Sequence, residues 1–281
     1  AYRQLKALVD SHPNEPNYKV MLGNWLLQND RKPEAYKLFL SAVEADPESE
    51  YALGSLYDYY RQAGLDSMAT ALRDRILLSP KTDTGTKTTM FKQVLKDNEA
   101  HGGDSTEVIA LFDKANPKDA DMALLKAVYM DLKQMPDSAV CPAFQHVLDI
   151  APDNATARLQ LLQKLWPQKR WDEIIAQSTQ AIQYNPEEMA FYYFLGLAHY
   201  QKNDNDAALD AFRRGVGEIT QESNPEFVSD FYAIMGDILH TKGQAEEAYA
   251  AYDSCLQWKS DNISCLNNYA YYLSEENRNL T

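Results

Sequence analysis

Basic residues are scarce in this chain: 27 Lys and Arg stand against 41 Asp and Glu over 281 residues, a formal net charge of -14. Nucleic acid phosphates and anionic lipid headgroups reward clusters of Lys and Arg, so neither is an expected partner. Cysteine is rarer still, with residues at 141, 255 and 265. Three thiols cannot all pair within one chain, so no disulfide framework organises the fold, and the three side chains are expected to be small buried apolar groups. Cys255 and Cys265 would lie on successive packed helices, and spacing alone leaves their pairing open. No run of about 18 apolar residues occurs, so no membrane span is expected, and no linker rich in Gly and Ser divides the chain. The five His, at 12, 101, 146, 199 and 240, include no i, i+4 pair and none beside a Cys at ligand spacing. Neither a metal nor a cofactor is therefore expected. Nucleophile elbows and Cys-x-x-Cys pairs are missing, and carboxylates are too numerous for one acid–base pair to stand out, so no catalytic residue is assigned. The Thr84-Gly85-Thr86-Lys87-Thr88-Thr89 stretch lacks the Gly immediately before Lys that a phosphate-binding loop needs.

What the chain does have is aromatic mass and a rhythm. Hydrophobic residues make up 45% of it, and 18 Tyr with 4 Trp provide large rings for helix packing, so a folded chain is expected. Seven prolines, at 13, 47, 80, 117, 152, 186 and 225, follow one another at intervals of 34, 33, 37, 35, 34 and 39 residues. Proline cannot continue a helix and restricts the residue before it, so each of these ends one helix and opens the way to the next. Asp46, Asn116, Asn185 and Asn224 precede their prolines and Asp153-Asn154 follow Pro152, which supplies side-chain oxygens to cap helix starts.

The stretch from Met189 to Val216 shows what one period contains. Leu195, Gly196, Ala208, Phe212 and Gly215 fall where two antiparallel helices need large residues inside the pair and small ones where the backbones approach. Leu22-Gly23, Ala35, Phe39, Ala42 and Pro47 repeat the pattern, as do Met235-Gly236, Ala248, Tyr252 and Cys255. This pattern resembles the tetratricopeptide repeat, a helix-turn-helix unit of about 34 residues. The resemblance implies an all-α fold, a right-handed superhelical solenoid of antiparallel helix pairs. It also implies a non-enzymatic scaffold that holds a protein or peptide in its concave groove. The alternative is a recruiting or regulatory portion of a larger enzyme or of a secretion or envelope machine.

Divided at this period, the chain reads as a single solenoid: a half unit at 1–13, helix pairs at 16–49, 50–81, 82–118, 121–154, 155–188, 189–226 and 229–262, and a half unit at 263–281. Both ends read as cut from something longer. Several departures carry their own expectations. Tyr57 replaces the small residue at the helix crossing and Arg73 the large apolar one, so these two helices should stand further apart or shift. Thr82 to Thr89 is polar and β-branched and is expected to form an irregular loop. Pro142 is expected to delay or kink the helix predicted over 137–150. Trp166-Pro167 should end a first helix abruptly, and 218–226 reads as a polar insertion. Asn154-Ala155-Thr156, Asn262-Ile263-Ser264 and Asn279-Leu280-Thr281 fit the glycosylation sequon.

In the family that this chain resembles, the first helix of each unit lines the groove. Carried over by position, the inward residues are Val20, Asn24 and Leu27; Tyr51, Asp58 and Arg61; Leu125, Tyr129 and Leu132; and Leu159, Gln163 and Trp166. They continue with Tyr193, Leu197 and Tyr200; Ala233, Asp237 and His240; and Asn267, Asn268, Tyr271 and Ser274. Aromatic anchors and amides that can bond an extended backbone concentrate late in the chain. The partner-binding set is therefore expected to be Trp166, Tyr193, Leu197, Tyr200, His240, Asn267, Asn268 and Tyr271. Packing of the same rings within the repeats is the competing expectation. The carboxylate clamp of some family members is not matched, because Val20 stands where it uses Lys and the next repeat offers Asp58. The closing Asn-Asn-Tyr-Ala-Tyr-Tyr-Leu run resembles repeats of bacterial envelope-associated members, which implies an envelope or periplasmic setting.

Overall fold

The computed structural model describes residues 1–115 and 118–275, and of His101 the backbone alone. Asn116, Pro117 and the sequon at Asn279 lie outside the described residues. Among those described, the chain forms sixteen helices and no strand, with 78% of its residues helical. In order these are α1 (Tyr2–Ser11), α2 (Pro16–Gln28), α3 (Lys32–Ala45), α4 (Glu50–Gln62), α5 (Asp66–Leu78), α6 (Thr84–His101), α7 (Ser105–Ala115) and α8 (Ala120–Leu132). They continue with α9 (Asp137–Ile150), α10 (Ala155–Leu165), α11 (Trp171–Tyr184), α12 (Met189–Gln201), α13 (Asn205–Gly217), α14 (Pro225–Thr241), α15 (Ala245–Trp258) and α16 (Ile263–Glu275).

Local chemistry sets these boundaries. Asn154 Oδ1 accepts the Ala157 amide at 2.9 Å and Asn224 Oδ1 accepts the Glu226 amide at 2.9 Å, satisfying donors that a helix start leaves open. Pro16 and Pro225 occupy the first helical turn, where a missing N–H costs nothing. Each tight turn from a first to a second helix passes through one left-handed residue: Asp30, Gly64, Gly102, Gln134, Lys169, Asn203 and Gly243. Carbonyls of the spaced prolines are used too. Tyr192 Oη donates to the Pro186 carbonyl at 2.9 Å, and Arg158 Nη2, at the equivalent place one repeat earlier, donates to that of Pro152 at 3.1 Å.

Helix packing groups the chain into two compact units, residues 1–129 and 130–281. The core of the first is built on Val20, Phe39, Ile76, Leu77, Phe91 and Phe112, with the last two rings stacked at 3.9 Å. In the second, Phe144, Leu162, Ile174, Phe191, Phe212, Phe231 and Tyr252 are fully or almost fully enclosed. Three helix pairs close in the same way. A Cβ on Gly23 would stand 2.5 Å from the Phe39 ring, one on Gly196 2.6 Å from Phe212, and one on Gly236 2.4 Å from Tyr252. Only a residue without a side chain lets those rings lie against the opposing backbone. Where Tyr57 and Arg73 take the two positions, Arg73 turns to Asp74 at 2.7 Å and a cleft of about 350 Å³ opens, lined by Tyr57, Arg61, Ala69, Arg73 and Asp97 among others.

Two expectations from the sequence are corrected. The stretch 82–89 is not an irregular loop, because α6 starts at Thr84. Asp83 caps it through the Thr86 amide at 2.9 Å and the Thr86 hydroxyl at 2.6 Å, while Glu50 accepts the Asp83 amide at 2.7 Å. Those bonds outweigh the modest helix propensity of Thr. Pro142 neither delays nor interrupts α9, which runs unbroken from Asp137 to Ile150. Pro142 deprives only the Ser138 carbonyl of its helical donor, and both residues lie on the exposed side of the helix, where water can replace that bond. Val140, Phe144, Val147 and Leu148 hold the opposite side in the core. Trp166-Pro167 does end α10, and residues 218–224 lengthen the connection between α13 and α14.

Candidate partner-binding face

The first helices α10, α12, α14 and α16 of the second unit carry the expected binding residues, and packing sorts these into two groups. Trp166, at the end of α10, is half-buried, with its ring 4.9 Å from that of Trp171 and 6.0 Å from that of Phe194. Tyr193 lies among Phe227, Phe231 and Phe212 at 4.8, 5.4 and 6.3 Å, and burial raises its phenol above the ordinary tyrosine value. Leu197 is half-buried. All three side chains are half-buried, and the rings of Trp166 and Tyr193 pack against neighbouring aromatics.

Tyr200, His240, Asn268 and Tyr271 come together around two residues, Asp237 and Tyr272. Asp237 accepts the Tyr252 hydroxyl at 2.6 Å and both of its oxygens accept Asn268 Nδ2, at 3.0 and 3.1 Å. The His240 ring stacks on Tyr272 at 3.5 Å and 19°, and Tyr271 meets Tyr272 edge-on at 5.5 Å. Burial and then the nearby Asp237, Tyr200 and Glu275 raise the Tyr272 phenol above its ordinary value, the charged form being disfavoured beside carboxylates. At the rim, Tyr200 is 36% exposed and Tyr271 57%, with the Tyr271 hydroxyl donating to Glu275 at 2.8 Å. Asn267 is exposed beside them. Asn268, expected to face a partner backbone, has its amide committed to Asp237.

Tyr272 was missed by sequence reasoning because it falls one place beyond Tyr271 on the projected face. Asp237 was projected onto the face, but nothing in the sequence marked it as the acceptor that organises it. On the first unit, the corresponding polar groups are engaged with one another. Asn24 Nδ2 lies 3.4 Å from both Tyr51 Oη and Ser55 Oγ, Arg61 pairs with Asp97 at 3.0 Å, and Val20 is fully buried.

All three cysteines are free thiols. Cys255 and Cys265 are buried, with Cys255 Sγ 3.1 Å from Ser229 Oγ and Cys265 Sγ donating to the Tyr252 carbonyl at 3.6 Å; burial and then Cys255 raise the Cys265 thiol. Cys141 is half-buried and borders a cleft of about 550 Å³ between α9, α10 and α11. Of the described sequons, Asn154 is a helix cap, and Asn262 is buried with its amide donating to Ser229 and Asp230. No helix among the described residues is long and apolar enough to cross a membrane.

Residues 165–225 and 229–262 match two models of the tetratricopeptide repeat. No curated protein matches the chain. A crystal structure of MamA protein is 19% identical, covers 64% of this chain and 96% of its own, and superposes with a TM-score of 0.50. MamA from Desulfovibrio magneticus RS-1 is 14% identical, with 62% of this chain and 96% of its own covered and a TM-score of 0.47. YrrB, described as a TPR protein with an unusual peptide-binding site, is 14% identical over 86% of this chain and all of its own, at a TM-score of 0.34.

Proposed function

This chain belongs to the tetratricopeptide-repeat family, and from that premise we propose that it is a non-enzymatic scaffold which holds a protein or peptide on the first-helix face of its second unit. One observation carries the reading. Three successive first helices, α12, α14 and α16, bring Tyr200, His240, Tyr271 and Tyr272 to one place, and Tyr200 and Tyr271 remain exposed there. Large rings left exposed side by side at a surface favour contact with another molecule, because tyrosine gives wide contact area at low entropic cost. Asn267, exposed on the same helix, can donate to and accept from a peptide backbone.

The test is binding of short extended peptides to the chain and to its Tyr200→Ala, Tyr271→Ala double variant. Both side chains are partly exposed, so the fold should survive and the thermal midpoint change little. The expected result is a loss of about tenfold or more in affinity in the double variant. Peptides that bind both forms equally would show that the face is not the site.

A further inference from the structure

The charge on this face identifies the kind of partner. Helices α12, α14 and α16 contain no Lys or Arg, yet they carry Glu226, Asp230, Asp237 and Glu275. Glu226 is neutralised by Lys259 at 2.5 Å. Asp237 has no such partner: it is half-buried, its donors are the neutral Tyr252 hydroxyl and Asn268 amide, and no cation among the described residues pairs with it. Nearby cations are taken elsewhere, Lys202 by Asp172 and Lys242 by Asp206. A half-buried carboxylate with no counter-ion attracts a cation brought by a ligand. Beside it stand the partly exposed rings of Tyr200 and Tyr271, whose faces attract cations, with Glu275 at the rim; Tyr272, on which the His240 ring is stacked, is half-buried next to them.

Resting on the reading of this face as a partner-binding surface, we propose that it seats a lysine or arginine side chain of a peptide partner, with the aliphatic stem against Tyr271 and Tyr272 and the charged end directed to Asp237 and Glu275. The seat selects a basic residue within an extended segment. Acidic and purely apolar segments are disfavoured.

The test uses peptide arrays with degenerate flanks and a central Arg, Lys, norleucine or Glu, bound by the full chain. Arg and Lys centres should be retained about tenfold more strongly than norleucine, and Glu least. Asp237→Asn should remove most of that preference, and Glu275→Gln, at an exposed position that leaves the fold intact, should remove about threefold of it. Far-ultraviolet circular dichroism and the thermal midpoint check that Asp237→Asn still folds, and Tyr271→Leu supplies a variant that leaves the Asp237 hydrogen bonds untouched and should lose most of the same preference. Binding that is lost on Tyr200→Ala with Tyr271→Ala but is indifferent to the central residue would overturn the basic seat and leave the scaffold reading standing. A preference for Arg that survives both Asp237→Asn and Glu275→Gln would overturn it as well. No retention of any peptide would overturn both readings.

Discussion

Helix pairs α12–α13 and α4–α5 place the same two positions, sixteen residues apart, at their crossing, and fill them oppositely. In the first pair these are Gly196 and Phe212, with the ring against backbone; in the second they are Tyr57 and Arg73, with the aromatic on the first helix and a charged side chain reaching to Asp74. The pair α10–α11 gives a third solution, in which Leu162 and Ser178, both fully buried, exchange the large and small roles. A crossing thus requires a total volume rather than a particular residue, and the cost of departing from that volume is visible as the cleft beside Arg73. Breaking the closed pair should therefore cost most. Phe212→Ala empties a fully enclosed site and is expected to lower stability by ~3–5 kcal/mol in urea unfolding, whereas Arg73→Ala should cost less than ~1 kcal/mol. Equal losses would mean that the two crossings are equivalent after all.

The opposite perturbation, filling rather than emptying, sharpens the contrast. Gly236→Ala puts a Cβ 2.4 Å from the Tyr252 ring, whose hydroxyl is fixed by Asp237, so the ring cannot withdraw freely. A loss of ~1–3 kcal/mol is expected, and because Asp237 belongs to the proposed binding face, peptide affinity should fall with it. At Gly54, where a Cβ would meet nothing within 4 Å, Gly→Ala should be neutral or slightly stabilising. Comparable melting points for the two variants would contradict the packing argument.

The elements that the sequence made legible are those written in local chemistry. Proline intervals and the sixteen-residue spacing of Gly196 and Phe212 state where a helix must stop and which residues meet, and both depend on sterics within one repeat. What was illegible depended on partners distant in sequence. The α6 start relies on Glu50, 33 residues before Asp83, as well as on the local Asp83 cap. Pro142 is tolerated because its side of α9 is exposed, which the periodicity of Val140, Phe144 and Val147 hinted at but did not establish. Phe227 and Phe231 on α14 pack against Tyr193, which stays half-buried, and Asp237 on α14 takes the Asn268 amide. In each case a neighbouring helix decides what a side chain faces.

Two smaller predictions bear on α10–α11. Ser178 Oγ is buried without a hydrogen-bond partner, so Ser178→Ala should raise stability by up to ~1 kcal/mol through removal of an unsatisfied polar group, at the price of a very small cavity. The turn that joins these two helices offers the finest comparison. Lys169 holds φ 55° where the α14–α15 turn uses Gly243 at φ 75°. An L-residue in the left-handed region carries steric strain between Cβ and the following carbonyl that glycine avoids, while glycine adds entropy to the unfolded chain. The first effect is the larger, so Lys169→Gly should stabilise by ~0.5 kcal/mol, and Gly243→Lys should destabilise by a similar or somewhat larger amount. If Lys169→Gly instead lowered the urea midpoint, the unfolded-state entropy would dominate at these turns, and the left-handed residues would be tolerated by the repeat without measurable strain.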